Sequence, residues 1–503
     1  SRSRTNSVCR PQRERDRAMG KLRALEDIAC FHVDNRKYDL RYENTVSSVL
    51  TMNGLVTKKD FCERAEEALV KFPRMRSRIL EKGTKYFFEE VEIDVADHVS
   101  EISLEGGLEA SMLKFAARHM LEPINFERPL WDASILYFSE DPERCVIFLR
   151  VHHTVCDGVT MERVFNGLFD PTPENARMSV SKRKNRHGFI QRLMHIPYNM
   201  VVFADGLFEG LFLSVLPGDT VTKLKLSSAF DVSTQDRAIA VGEMPLEIVR
   251  RIKDRVGATV NDVLMTALAL ACAKYMKHHE DPALKGSPQI RCTFPCSTRP
   301  GGADVLSEKY FKNMFIMLCM QLPMESHDPV ACLWKVKNGC EEMKHSPEAG
   351  IIYYISSFAM KYLPAVVARK STFDLFDKMT IFFTNVQGPQ TVRKLKGAEM
   401  QKATFFVPAL TGACLGVNTY NGQLNISVVS DPVAVADPEV LLKAFTDGLE
   451  ALDVASAVAE EQKTLRQPST TFNTTFRFVR FLIVVAIMMS PIFLARHFLS
   501  ERA

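Results

Sequence analysis

Apolar residues recur along the chain with two periods, close to two and close to three and a half, and the alternation between them sets out the elements. Residues 46–52 read as a strand, and residues 59–72 space their apolar positions as a helix does. Residues 86–95 alternate like a strand, and 108–120 return to helical spacing. Residues 135–138 and 145–151 are short, apolar and rich in β-formers, the pattern of buried strands. Over residues 159–169, Met161, Val164, Phe165 and Leu168 share one helical face. Residues 259–279 carry the clearest helical pattern: Thr259 with Asp262 three positions on makes a capping pair, and the following Ala- and Leu-rich run is apolar nearly all round, as in a buried helix. Further strands are predicted over 315–322, 379–385, 413–420 and 425–430, with turns at Gln387-Gly388-Pro389 and Asn421-Gly422. This mixture predicts an α/β (α+β) layered core rather than a helical bundle or a β-sandwich.

The same pattern divides the chain. Residues 1–24 are polar and Arg-rich, read as a disordered basic arm, either a solvated tail or a segment drawn to anionic headgroups. A first lobe is expected over 25–184 and a second over 225–456. Between them, residues 185–224 are apolar but interrupted by charges, too broken to span a bilayer; a packed crossover and a segment lying in a membrane interface both remain open. A linker over 457–475 leads to residues 476–499. There, 481–495 are uncharged and bounded by Arg477, Arg480 and Arg496, so a membrane anchor is expected, transmembrane or membrane-embedded; a helix packed on the protein is the alternative.

Composition narrows the function classes. Of 503 residues, 46% are hydrophobic and 25% charged, which excludes a disordered or collagenous chain. With 64 basic against 60 acidic residues, charge gives no reason to expect nucleic acid as a partner. The 12 cysteines are scattered, and the close pair Cys292 and Cys296 lacks a second pair at zinc-ligand spacing, so neither a disulfide framework nor a metal is expected. Scattered thiols place the lobes in a reducing, cytosolic setting. Neither a P-loop, a GxSxG elbow, an HExxH helix nor a dinucleotide fingerprint is present.

Candidate chemistry concentrates in His152-His153-Thr154-Val155-Cys156-Asp157-Gly158, which follows the apolar run 145–151 and precedes the helical face at 159–169. Adjacent side chains at a strand end point to opposite faces, so one of the two histidines can face a given cavity. A neutral imidazole can take a proton from a hydroxyl. Asp157 can brace the loop, and Gly158 permits a tight turn there. A buried, satisfied histidine pair is the plain alternative. Cys156 is expected to fill space rather than to act as a nucleophile, and His278-His279 to be a solvated helix end.

The HHxxxDG pattern resembles the signature of the CoA-dependent acyltransferase superfamily. More of the chain is similar to one branch, the wax ester synthase/acyl-CoA:diacylglycerol acyltransferase family. The segments that carry this are Glu127-Arg128-Pro129-Leu130-Trp131, Thr259-Val260-Asn261-Asp262-Val263, Pro295-Cys296-Ser297-Thr298-Arg299 followed by Asn313, Thr384-Asn385-Val386-Gln387-Gly388-Pro389, and Tyr420-Asn421-Gly422 with Asp431. Thr384 and Gln387 depart from that family's turn, and Cys296 interrupts a stretch that is aliphatic there. The resemblance extends over residues 25–452.

The resemblance implies two chloramphenicol-acetyltransferase-like lobes with an active-site tunnel between them. His153 would be the general base, with His152 and Gly158 completing the motif and Asp157 structural, paired with Arg299. Asn261, Asp262, Arg299 and Asn385 are the substrate-binding or oxyanion candidates, the two asparagines serving otherwise as cap or turn residues. The implied reaction moves a long-chain acyl group from acyl-CoA to a lipophilic alcohol, giving a wax ester from a fatty alcohol, a triacylglycerol from diacylglycerol, or both. Acyl-CoA is then a substrate and no cofactor is required. A membrane is the expected setting, at the endoplasmic reticulum or a lipid droplet. An inactive lipid-binding or scaffold protein on the same fold is the rival reading.

Overall fold

A computed structural model describes residues 22–25, 29–30, 32–33, 44–83, 85–171, 217–228, 233–324, 328–345, 353, 374, 376–408 and 411–461. The apolar run at 145–151 becomes part of β7 (Asp141–His152), the longest strand. It pairs antiparallel with β2 (Thr45–Asn53) on one side and β6 (Trp131–Phe138) on the other, and β6 runs parallel to β5 (Val99–Leu104). Both faces of β7 are covered, and its residues alternate between two cores. Cys145, Ile147, Leu149 and Val151 point to the side filled by Met161, Val164 and Phe165 of α3 (Gly158–Asn166). Val146 and Phe148 point to the side filled by Met112, Phe115 and Ala116 of α2 (Leu108–His119). Two-sided burial explains why the sequence shows a continuous apolar run here and not a strict alternation.

The second lobe holds a six-stranded sheet in the order β10-β9-β11-β14-β15-β8. These strands are β8 (Ala238–Pro245), β9 (Arg291–Ser297), β10 (Phe315–Gln321), β11 (Ile381–Gln387), β14 (Ala413–Tyr420) and β15 (Gln423–Ser430). Against it lies α5 (Val260–His278), with Val263, Leu264, Ala267, Leu268, Ala271, Cys272 and Tyr275 buried. It is flanked by α4 (Leu246–Val256), α6 (Pro329–His345) and α7 (Pro438–Glu461). A helix apolar all round needs partners on several sides, and these supply them. Gly448 of α7 lets the backbones approach: a Cβ there would stand 3.3 Å from the Ala267 carbonyl oxygen.

The lobes are stitched together by a strand exchange. After β11, the chain crosses to the first sheet, where β12 (Lys394–Leu395) and β13 (Ala398–Phe406) extend it beside β2, giving the order β12-β13-β2-β7-β6-β5. Residues 394–406 of the expected second lobe thus complete the sheet of the first. A Cβ on Gly388, at the exit from β11, would lie 2.4 Å from the Thr419 carbonyl oxygen, so only glycine fits that departure. A small third sheet joins β1 (Leu22–Ala24), β4 (Lys85–Glu90) and β3 (Ser77–Lys82).

Several expected boundaries shift for local reasons. The helix expected over 59–72 is α1 (Lys58–Ala68); Phe72, extended before Pro73, bars it from reaching 72, since the residue before proline is pushed out of helical geometry. The strand expected over 86–95 ends at Glu90, and the one expected over 379–385 starts at Ile381. Of the segment 185–224, the described residues 217–224 pack into the second lobe: Leu224 joins its core, and Asp219 accepts from the Arg291 backbone N–H and Nε, both at 2.6 Å. Of the arm expected over 1–24, residues 22–24 form β1 instead, and of the linker expected over 457–475, residues 457–461 continue α7; residues 1–21 and the anchor expected over 476–499 lie outside the described residues. Among the described residues no single helix is long and apolar enough to cross a membrane.

Candidate active site

β7 delivers His152 and His153 to the top of the first sheet, where the His152 N–H still bonds the Leu130 carbonyl (3.0 Å) and the His153 N–H bonds the Asn44 carbonyl (2.7 Å). The two rings diverge as strand geometry requires. His152 is sealed inside, edge-on to Phe126 with centroids 5.0 Å apart, and its Nδ1 accepts from the Thr154 N–H at 3.2 Å. His153 keeps part of its surface open.

The His153 ring is held by the second lobe. Its Nδ1 lies 3.0 Å from Asn313 Oδ1. Asn313 Nδ2 donates to the His153 carbonyl (2.8 Å) and the Thr154 carbonyl (3.4 Å), which turns the amide oxygen toward the ring. An oxygen that can only accept fixes the proton on Nδ1, so Nε2 carries the lone pair. Phe315 of β10 stands beside the ring at 5.4 Å between centroids, and His32 at 4.9 Å. Burial lowers the His153 pKa below the ordinary histidine value, against opposing pulls from the Asp157 charge and the Asn313 bond. The imidazole is therefore neutral at neutral pH, its basic nitrogen defined.

Asp157 does not brace that ring by a direct hydrogen bond; its carboxylate is committed elsewhere. Oδ1 caps α3 by accepting from the Thr160 N–H and hydroxyl, both at 3.1 Å. Oδ2 accepts from Arg299 Nη1 at 2.7 Å and from the Met314 N–H at 2.8 Å. Arg299 also donates to Thr160 Oγ1 and to the carbonyls of Tyr310 and Lys312. The expected Asp157–Arg299 pair is thus a buried clasp between the lobes. Gly158 opens α3 without a positive φ, and the turn joining β7 to α3 lies just ahead of it, where the Val155 N–H bonds the His152 carbonyl at 3.0 Å; a Cβ on Gly158 would meet Val386 Cγ2 at an ordinary 3.7 Å.

The remaining candidates gather in the second lobe. Asp262 is nearly sealed and serves a capping box, accepting from the Thr259 N–H at 2.8 Å. Asn385 lies within β11 rather than in a turn, and its Nδ2 donates to Asn261 Oδ1 (2.7 Å) in the first turn of α5. Cys156 is buried in the first core beside Met161. Of the expected solvated pair, His278 is exposed, but His279 is half-buried with Nε2 3.0 Å from Asp437 Oδ2.

Two contributors escaped the sequence reading. Asn313 stood in a matched segment without a role. His32 carried no pattern, and only the fold brings it to His153.

Two family models match the chain: the wax ester synthase/diacylglycerol acyltransferase catalytic domain over residues 50–264 and the WS/DGAT C-terminal domain over 312–453. Wax ester synthase/diacylglycerol acyltransferase 7 of Arabidopsis thaliana is 24% identical over 460 residues, covering 80% of this chain and 93% of that protein. Among solved structures, the wax ester synthase/diacylglycerol acyltransferase from Marinobacter aquaeolei superposes with a TM-score of 0.56 at 15% identity, over 86% of this chain and all of that one. The starter condensation domain of rhizomide synthetase, solved in complex with C8-CoA, gives 0.55 at 14% identity, over 87% and 95%. At these identities the solved structures speak for the fold.

Proposed function

This chain belongs to the wax ester synthase/diacylglycerol acyltransferase family, and from that premise we propose that it moves a long-chain acyl group from acyl-CoA to a fatty alcohol or diacylglycerol, with His153 as general base. The family makes it an acyltransferase acting on a lipid alcohol. The observation that carries the finer reading is the Asn313–His153 bond, which leaves Nε2 as the lone-pair nitrogen of a neutral ring.

In the proposed reaction, Nε2 takes the hydroxyl proton as the alcohol oxygen attacks the thioester carbonyl. The tetrahedral intermediate collapses, the C–S bond breaks, and the departing CoA thiolate recovers the proton from the imidazolium. General-base assistance of this kind contributes about 10²–10⁴-fold, and alignment of two substrates roughly 7–11 kcal/mol more. The C8-CoA bound by the condensation-domain relative supports a CoA thioester donor, and the relatives' names support the two acceptors. Transfer is direct; the interior position of Cys156 fits a packing role.

The test is His153→Ala with thiol release followed from a long-chain acyl-CoA, offered a fatty alcohol and diacylglycerol in competition. Turnover falls by two orders of magnitude or more if His153 is the base; unchanged turnover removes the mechanism. The uncharged run 481–495 supports attachment to a bilayer. Protein truncated after Leu465 is expected to stay in the supernatant when membranes are pelleted, and continued sedimentation would refute that anchor.

A further inference from the structure

We propose that His32 is a positioning residue: clipped in place by Asn44, it forms one wall of the slot in which the His153 ring stands, fixing the plane of that ring and keeping water from one face. The inference rests on the reading of His153 as the base. Asn44 immediately precedes β2 and holds both histidines, its Nδ2 donating to His32 Nδ1 at 2.7 Å and its carbonyl accepting the His153 N–H at 2.7 Å. His32 is 5% exposed and tilted 39° to the His153 ring. Phe315, from the other lobe, supplies a second aromatic neighbour, and Asn313 holds the ring edge. Two tilted ring neighbours and an edge bond together leave an imidazole little freedom to rotate, which is what a base aligned on a bound hydroxyl requires.

The donated bond keeps His32 neutral with its proton on Nε2, and burial together with the two neighbouring imidazoles holds its pKa well below the usual histidine value. Among the described residues, His32, His152 and Asp157 are ionisable groups that act on this site, the last paired with Arg299.

The experiment compares His32→Ala, His32→Phe and Asn44→Ala with the parent, reading kcat/KM against pH and the thermal midpoint, with His153→Ala as control. His32→Ala lets water reach the ring: its kcat/KM falls about tenfold and its acid limb moves up toward the ordinary histidine value. His32→Phe keeps a flat ring in place and keeps the parent's acid limb. Asn44→Ala shifts the limb in the same direction as His32→Ala, and reports on the clip should His32→Ala fail to fold. A folded His32→Ala with the parent's limb and rate overturns the proposal, as does an equal shift in His32→Phe. Parental activity in His153→Ala would instead overturn the general-base reading.

Discussion

Arg299 Nη1 stands 2.7 Å from Asp157 Oδ2, with both side chains almost wholly withdrawn from solvent and one supplied by each lobe. The guanidinium spends its other donors on Thr160, Tyr310 and Lys312, so it locks the loop after His153 to the segment that carries Asn313. Removing one partner of such a pair strands a buried charge, at about 3–5 kcal/mol. Arg299→Ala is therefore expected to lower the thermal midpoint sharply. Arg299→Lys restores the charge but not the planar fork, and is expected to recover only part of the stability and activity. Differential scanning calorimetry beside a thiol-release assay checks both; parental behaviour in Arg299→Lys would show that the fork is dispensable.

Asn313 sets the tautomer of His153, so its replacement separates orientation from burial. Asn313→Leu removes the acceptor for Nδ1–H and is expected to reduce kcat about 10–100-fold with little change in KM. Asn313→Asp places a negative charge against the same N–H. An opposite charge favours the imidazolium, so the His153 pKa rises and the acid limb of kcat/KM moves to higher pH. An unshifted limb in Asn313→Asp would mean that the limb reports a different group.

Stability should fall on acidification in a window that these histidines define. His32, His98 and His153 all have pKa values lowered by burial. Near pH 6.5 the unfolded chain takes up protons that the folded chain refuses, so stability declines as pH drops through that value and continues to do so until the lowered folded values are reached. Thermal midpoints measured from pH 7.5 down to 5.5 are expected to fall steadily. A flat profile would contradict the buried neutral rings.

The strand–loop–helix setting of the histidines was legible because it is local: β-rich residues, the histidine pair with Asp157 and Gly158, and a helical face at Met161, Val164 and Phe165 lie within a few turns of one another. The Asp157–Arg299 pair was legible only through the resemblance, since no local rule links residues so far apart. The exchange of β12 and β13 was not, because a strand's sequence says what it buries but not which sheet receives it. α4 and the following Gly257, left-handed at φ 62°, form a regular amphipathic helix with a glycine stop, a local signal that the stronger pattern at 259–279 overshadowed. His32 left no trace at all: a lone histidine gains meaning only when Asn44 and His153 meet it.

Glu162 imposes the opposite pH dependence and lies one turn into the helix that Asp157 caps. Burial raises its pKa to about 7, against the pull of Arg163, Asn166 and Arg393 toward ionisation. A carboxyl whose folded pKa is raised holds its proton more tightly in the folded state; the stability this contributes is complete below the usual value of 4.5 and is lost as pH rises through 7. Glu162→Gln keeps the shape and has no proton to lose. Because the histidine contribution is common to both proteins, the difference isolates Glu162: the thermal midpoint of Glu162→Gln is expected to rise relative to the parent's as pH goes from 6.5 to 8.5, while the acid-side fall set by the histidines persists in both. Parallel alkaline profiles for the two proteins would show that Glu162 is already ionised in the folded chain, balanced by the guanidiniums around it.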